Sequence, residues 1–135
     1  VYGAIKCIQT CLPALKKGNG SIVLFSTVAV QQGMAFHASV AASKGAVEGL
    51  TRSLASELAP NVRVNAIAPS LTDTPLAEAL LSNDKKREAS EERHPLKRVG
   101  KADEIASMAV HLVSKNGGWI TGQVIGIDGG MSRVR

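Results

Sequence analysis

Three short strand-like runs, each separated from the next by a longer helical stretch, constrain this chain more than any other feature. Ile22-Val23-Leu24-Phe25 is continuously apolar, as expected of a strand covered on both faces. Val62 to Ile67 reads as a second strand closed by Pro69, and Val124-Ile125-Gly126-Ile127 as a third. Before the first run, residues 3–17 place Ile5, Ile8, Leu12 and Leu15 at spacings of three and four, which is helical, and Gly18-Asn19-Gly20 stops them. Residues 38–59 form a long helical pattern with Val47, Leu50, Leu54 and Leu58 on one stripe and Pro60 just beyond. A further helix runs from Ala102 to Ser114, with Ile105, Met108 or Ala109, and Leu112 inward. Strand–helix alternation with crossovers of this length predicts a parallel α/β sheet with right-handed connections.

The stretch between the second strand and the last helix is different. Residues 70–100 are polar and charged with short helical pieces, an excursion of the kind that forms lids over sites. Its cations, Lys85, Lys86, Arg87, Arg93, Lys97, Arg98 and Lys101, are interleaved with Asp84, Glu88, Glu91 and Glu92. Mixed signs at helical spacing predict a solvated surface rather than a nucleic-acid patch, despite a net charge of +5. Aromatic residues are 3% of the chain, too few for base-stacking platforms, so the core must be aliphatic. No apolar run reaches the length of a membrane span. Cys7 and Cys11 stand four apart with no further ligand to complete a metal site, and read as buried thiols of a reducing, cytoplasmic compartment.

Four motifs carry the chemistry. Gly20 to Thr27 places two hydroxyls, Ser26 and Thr27, at the carboxyl end of a buried strand, where open α/β sheets build their sites. Ala42-Ser43-Lys44-Gly45-Ala46-Val47 opens the long helix, and Arg63-Val64-Asn65-Ala66-Ile67-Ala68-Pro69-Ser70-Leu71-Thr72-Asp73-Thr74 leaves the second strand. Ile120-Thr121-Gly122-Gln123-Val124 and Ile127-Asp128-Gly129-Gly130 frame the third. Together, in this order and spacing, these blocks resemble the classical short-chain dehydrogenase/reductase family from Gly3 to Gly130.

The resemblance implies a Rossmann-like, doubly wound parallel sheet that binds NAD or NADP and acts on a small carbonyl or alcohol. The chain, residues 1–135, would be the carboxyl-terminal half of that domain, its last three strands, with the 70–100 excursion as a substrate lid. The family's glycine-rich phosphate loop does not occur in the sequence, and roughly 110 residues of strand–helix units are expected upstream. Ile22 to Phe25 would then present an unpaired sheet edge. Family members commonly form dimers or tetramers, so Gly3–Leu15, Val47–Leu58 and Trp119–Gly130 are the matching candidate interfaces.

Members use a serine, a tyrosine and a lysine four residues after the tyrosine. A nearby ammonium favours the phenolate, and the serine holds the reacting oxygen. Residue by residue, Lys44 matches the lysine, and the serine position falls on Thr27 with Ser26 just before it. The tyrosine position falls on Val40, which has no proton to give. His37, about one helical turn earlier, is a candidate substitute acid or, on the plainer reading, a cap. Ser39 and Ser43 suit helix capping. The family's Pro-Gly at the cofactor is Pro69-Ser70 here, and Val30 stands where a glycine is usual. Thr74 takes the place of the threonine that contacts the nicotinamide carboxamide, with Thr72 as a second hydroxyl. No metal is implied.

Overall fold

Helix α1 (Tyr2–Lys17) leads into strand β1 (Ser21–Phe25), a single-turn helix α2 (Ala29–Gln32) and the long helix α3 (Ala38–Leu58). Strand β2 (Arg63–Pro69) follows, and the chain then makes its excursion. That segment contains β3 (Thr72–Asp73), a 3-10 turn at Pro75–Leu80, helix α4 (Asp84–Glu92) and β4 (Gly100–Lys101). Helix α5 (Ala102–Val113) and strand β5 (Val124–Ile127) complete the order. The computed structural model describes residues 1–134.

Strands β1, β2 and β5 form one parallel sheet in that spatial order, with Ile22 opposite Val64 and Ile67 opposite Ile125. β1 pairs on one side only, so Ile22–Phe25 lies at a sheet edge as expected. The alternation of the strands sorts their side chains onto two faces. Ile22, Leu24 and Val64 join Ile8, Leu12 and Leu15 of α1 and Leu50, Leu54, Ala55 and Leu58 of α3 in one aliphatic cluster. On the opposite face, Arg63 donates to the carbonyls of Leu112, Gly117 and Ile120, and Ser21 Oγ to Leu112 O, which fastens the end of α5 to the sheet. Gly117 is required there, because a Cβ would stand 2.6 Å from His111 O.

This arrangement corrects one expectation. The steps β1 to β2 and β2 to β5 run the same way across a parallel sheet, yet α3 and α5 lie on opposite faces. The two crossovers are therefore of opposite hand, and one of them is left-handed. The right-handed rule comes from a strand feeding a helix that packs straight back on its sheet. The β2–β5 connection escapes that constraint, because the excursion intervenes before α5.

Two further differences follow from local chemistry. The pairing of β3 with β4, Thr72 opposite Gly100, was not legible because two-residue strands carry no period. Cys7 and Cys11 are exposed free thiols, not buried ones, because the inward stripe of α1 runs through Ile5, Ile8, Leu12 and Leu15 and leaves them outside it. The cations of the excursion are in part neutralised locally, with Arg87 on Asp73, Lys97 on Glu92 and Arg98 on Glu104.

Candidate functional site

The site forms where β1 and β2 end. Beyond Phe25 the chain presents Ser26 and Thr27, which point to opposite sides as successive residues of an extended segment do. Ser26 is buried, and its hydroxyl donates to Glu48 Oε1 of α3 at 2.7 Å. That proton is committed to satisfying a buried carboxylate, whose other oxygen lies 3.8 Å from Arg52. Thr27 faces a cleft of about 310 Å³, shared with Met34, His37, Ser70, His94 and Met131.

Val40 and Lys44 are one helical turn apart at the start of α3. Val40 is 42% exposed, so it is not there to fill a core. Lys44 Nζ reaches back to donate to the carbonyl of Phe25 at 2.8 Å, which holds the ammonium at the carboxyl end of β1. Neither residue lines the cleft that Thr27 enters. His37 is the N-cap position of α3, makes no side-chain cap bond, and places Nδ1 2.7 Å from Ala35 O. A carbonyl only accepts, so Nδ1 carries a proton. The residue before it, Phe36, has φ of 63° and is fully exposed. Ser43 Oγ donates to Val40 O within the helix, not at its cap.

Across the cleft, β2 ends at Pro69, whose carbonyl accepts from Val28 N at 3.1 Å. Ser70 follows, anchored through its N–H to Ile127 O. Its hydroxyl lies 2.8 Å from His94 Nε2 and 3.0 Å from Met131 Sδ. His94 is only 2% exposed, and its Nδ1 lies 2.8 Å from Ser90 O. That carbonyl only accepts, so Nδ1 carries a proton, and Nε2 is the nitrogen that shares a hydrogen bond with the Ser70 hydroxyl. A second cavity of about 270 Å³ opens on the far side of the pair, lined by Ser70, His94, Arg98, Glu104 and Asp128.

Asp128 is shaped by its turn. Partial burial disfavours its charge, but bonds from Ser132 Oγ, Gly130 N and Ser132 N, with help from His94, hold its carboxyl below the ordinary range. The turn needs left-handed backbone at Gly129 (φ 62°) and Gly130 (φ 90°), and Gly129 O accepts from Leu96 N, which ties the end of the excursion to the segment after β5.

Thr72 and Thr74 go elsewhere. Thr72 Oγ1 donates to Ser70 O at 3.0 Å, and Thr74 Oγ1 to Thr72 O at 3.4 Å. Thr74 lines a separate hollow with Asp73, Glu78 and Arg87. The structure thus brings Thr27, His37 and Ser70 to one cleft and leaves Lys44 and Thr74 outside it. His94 was not singled out from the sequence, where it sits inside a charged run and nothing marks it as buried.

Comparison with known proteins places this geometry. The sequence model of the family described as enoyl-(acyl carrier protein) reductase matches residues 1–132. A 3-oxoacyl-[acyl-carrier-protein] reductase of Thermotoga maritima is 44% identical over 131 residues, 96% of this chain and 52% of that protein. The chain belongs to the classical short-chain dehydrogenase/reductase family. A tropinone reductase homolog of Arabidopsis thaliana is 43% identical over 92% of this chain and 48% of its own length. Among solved structures, a short-chain dehydrogenase/reductase from Brucella melitensis superposes with a TM-score of 0.89 at 37% identity, covering 97% of this chain and 52% of that one. Another, ElxO with NADP bound, gives a TM-score of 0.90 at 27% identity, covering 97% and 54%. The sheet is the Rossmann-like parallel sheet of the family, and this member spans about half the length of the relatives it matches. Among the described residues, no helix is long and apolar enough to cross a membrane.

Proposed function

We propose that this member of the family works within an NAD(P)-dependent oxidoreductase that reduces a small ketone to an alcohol. The observation that carries this reading is Lys44, whose ammonium is held by Phe25 O at the carboxyl end of β1. An ammonium has three donors, and one is used here, so two remain for the hydroxyls of a ribose. These residues fit the nicotinamide end of NAD or NADP. The glycine-rich loop that would cradle the pyrophosphate does not occur in the sequence.

A bound NAD(P)H would supply hydride. Within the chain, Thr27 Oγ1 donates to the substrate oxygen as charge develops on it, the role of the family's serine. Pro69, Thr72 and Thr74 shape the segment beside the nicotinamide, and the 70–100 excursion covers the site. The named activities of two relatives, a 3-oxoacyl reductase and a tropinone reductase homolog, support a ketone over other carbonyls. Gly3–Leu15, Val47–Leu58 and Trp119–Gly130 are the surfaces proposed for homo-oligomer contacts, with Trp119 fully exposed in the last of them.

The test is NAD(P)H binding and ketone reduction by the protein expressed from its complete coding sequence. Lys44→Ala should lower turnover by ~100-fold through misplaced reactants, with little change in folding stability. Failure to bind either nucleotide would sink the reading. A second reading, a non-catalytic binding or scaffold subunit, is favoured by Val40. It gains if the wild type is inert and Val40→Tyr creates reductase activity.

A further inference from the structure

We propose that Ser70 and His94 are the proton-delivery pair of this site, taking over the step that Val40 cannot perform; the inference rests on the ketone-reductase reading above. Two departures from the family pattern meet here. One removes a proton donor, at Val40, and the other adds a hydroxyl, at Ser70. The added hydroxyl lines the same cleft as Thr27 and lies 2.8 Å from the imidazole of His94.

The geometry is that of a donor backed by an oriented base. His94 is buried, its ring is locked by Ser90 O, and Ser70 is the partner of its second nitrogen. When Nε2 is protonated it donates to Ser70 Oγ, and the Ser70 proton turns away from it. The alternative acceptor in place is Met131 Sδ at 3.0 Å, and a thioether accepts weakly. A ketone oxygen in the cleft is the better acceptor. His37 shares the cleft but is an N-cap residue, partly exposed, with its Nδ1 held by Ala35 O of its own turn.

The step balances. A bound NAD(P)H would supply hydride to the carbonyl carbon as the C=O π bond breaks, and the substrate oxygen would take the Ser70 Oγ proton. Ser70 takes the Nε2 proton of His94, which ends neutral with Nδ1–H still on Ser90 O. Water in the cavity behind His94 then returns a proton. The charged groups facing the imidazole there are Asp128 and the mutually paired Arg98 and Glu104; Arg93 flanks it on the cleft side.

The experiment uses the protein from its complete coding sequence. Ser70→Gly should cut kcat by ~100-fold with NAD(P)H affinity unchanged. Adding Val40→Tyr to Ser70→Gly should restore turnover, because the phenol replaces the relay. Independently of turnover, nitrogen NMR of His94 should show Nδ1 protonated, with the Nε2 signal displaced in Ser70→Gly. Unchanged kcat in Ser70→Gly, an Nε2-protonated neutral tautomer, or loss of turnover in His37→Ala alone overturns the relay while leaving the reductase reading intact. No nucleotide binding at all removes both.

Discussion

The two sides of the candidate site are built on different principles. The β1–α3 wall carries the residues that the family motif names, and it is loosely held: Val40 exposed, Lys44 on a single carbonyl, His37 on its own turn. The wall formed by β2, the excursion and the turn after β5 carries Ser70, His94 and Asp128, each with two or more polar contacts. Groups held by several bonds are preorganised, and their geometry survives substrate binding. Groups held by one bond must be organised by what binds them. On the proposed reading the first wall is completed by the cofactor, while the second is finished already.

That contrast can be broken or sharpened by substitution. The largest effect expected is on the second wall. His94→Ala deletes a buried ring and leaves Ser70 and Ser90 O without their partner, so stability should fall by about 3 kcal/mol, read by urea denaturation. A loss under 1 kcal/mol would show that the wall is not preorganised in this way. On the first wall, Ser26→Ala leaves Glu48 short of a buried hydrogen bond and should cost about 2 kcal/mol, with Arg52 limiting the damage.

Phe36→Gly should act in the opposite direction. Its left-handed backbone costs about 1–2 kcal/mol, its side chain touches solvent, and glycine's entropy returns part of the gain, so stability should rise by about 1 kcal/mol. A loss instead would mean that the segment before His37 is held by the aromatic ring.

The smallest effect is a pH dependence at the rim of the second wall. The Arg98 guanidinium and then Lys101 N hold the Glu104 carboxyl down from 4.5 to about 2. A folded value below the unfolded one stabilises above pH 4.5 and loses that contribution as pH falls through 2. Glu104→Gln should remove that contribution above pH 4.5, lowering stability modestly at neutral pH, and flatten the acid limb between those limits. An unchanged acid limb would place the contact among surface pairs of no consequence.

The helices and the three long strands were legible because each spans enough residues to show its period; Ile5 to Leu15 and Val47 to Leu58 are examples. The first wall was legible too, since Thr27, Val40 and Lys44 lie in local motifs. The second was not. Ser70 and His94 are 24 residues apart and Ser70 and Met131 are 61 apart, and no local pattern reports such meetings. The burial of His94 depends on packing between the excursion and the Gly129 turn, and the opposite hand of the two crossovers depends on where α5 docks. Both are properties of the assembled chain.

The bond from Leu96 to Gly129, and the seat of Ser70 against Met131, have a consequence in time. With 61 residues between them and synthesis at 5–20 residues per second, Ser70 is made roughly 3 to 12 s before the residue that closes around it. Through that interval β1 can pair with β2 under α1 and α3, while the imidazole of His94 stays wet. On the ribosome, then, the side that carries Lys44 would be in place before the side that carries His94.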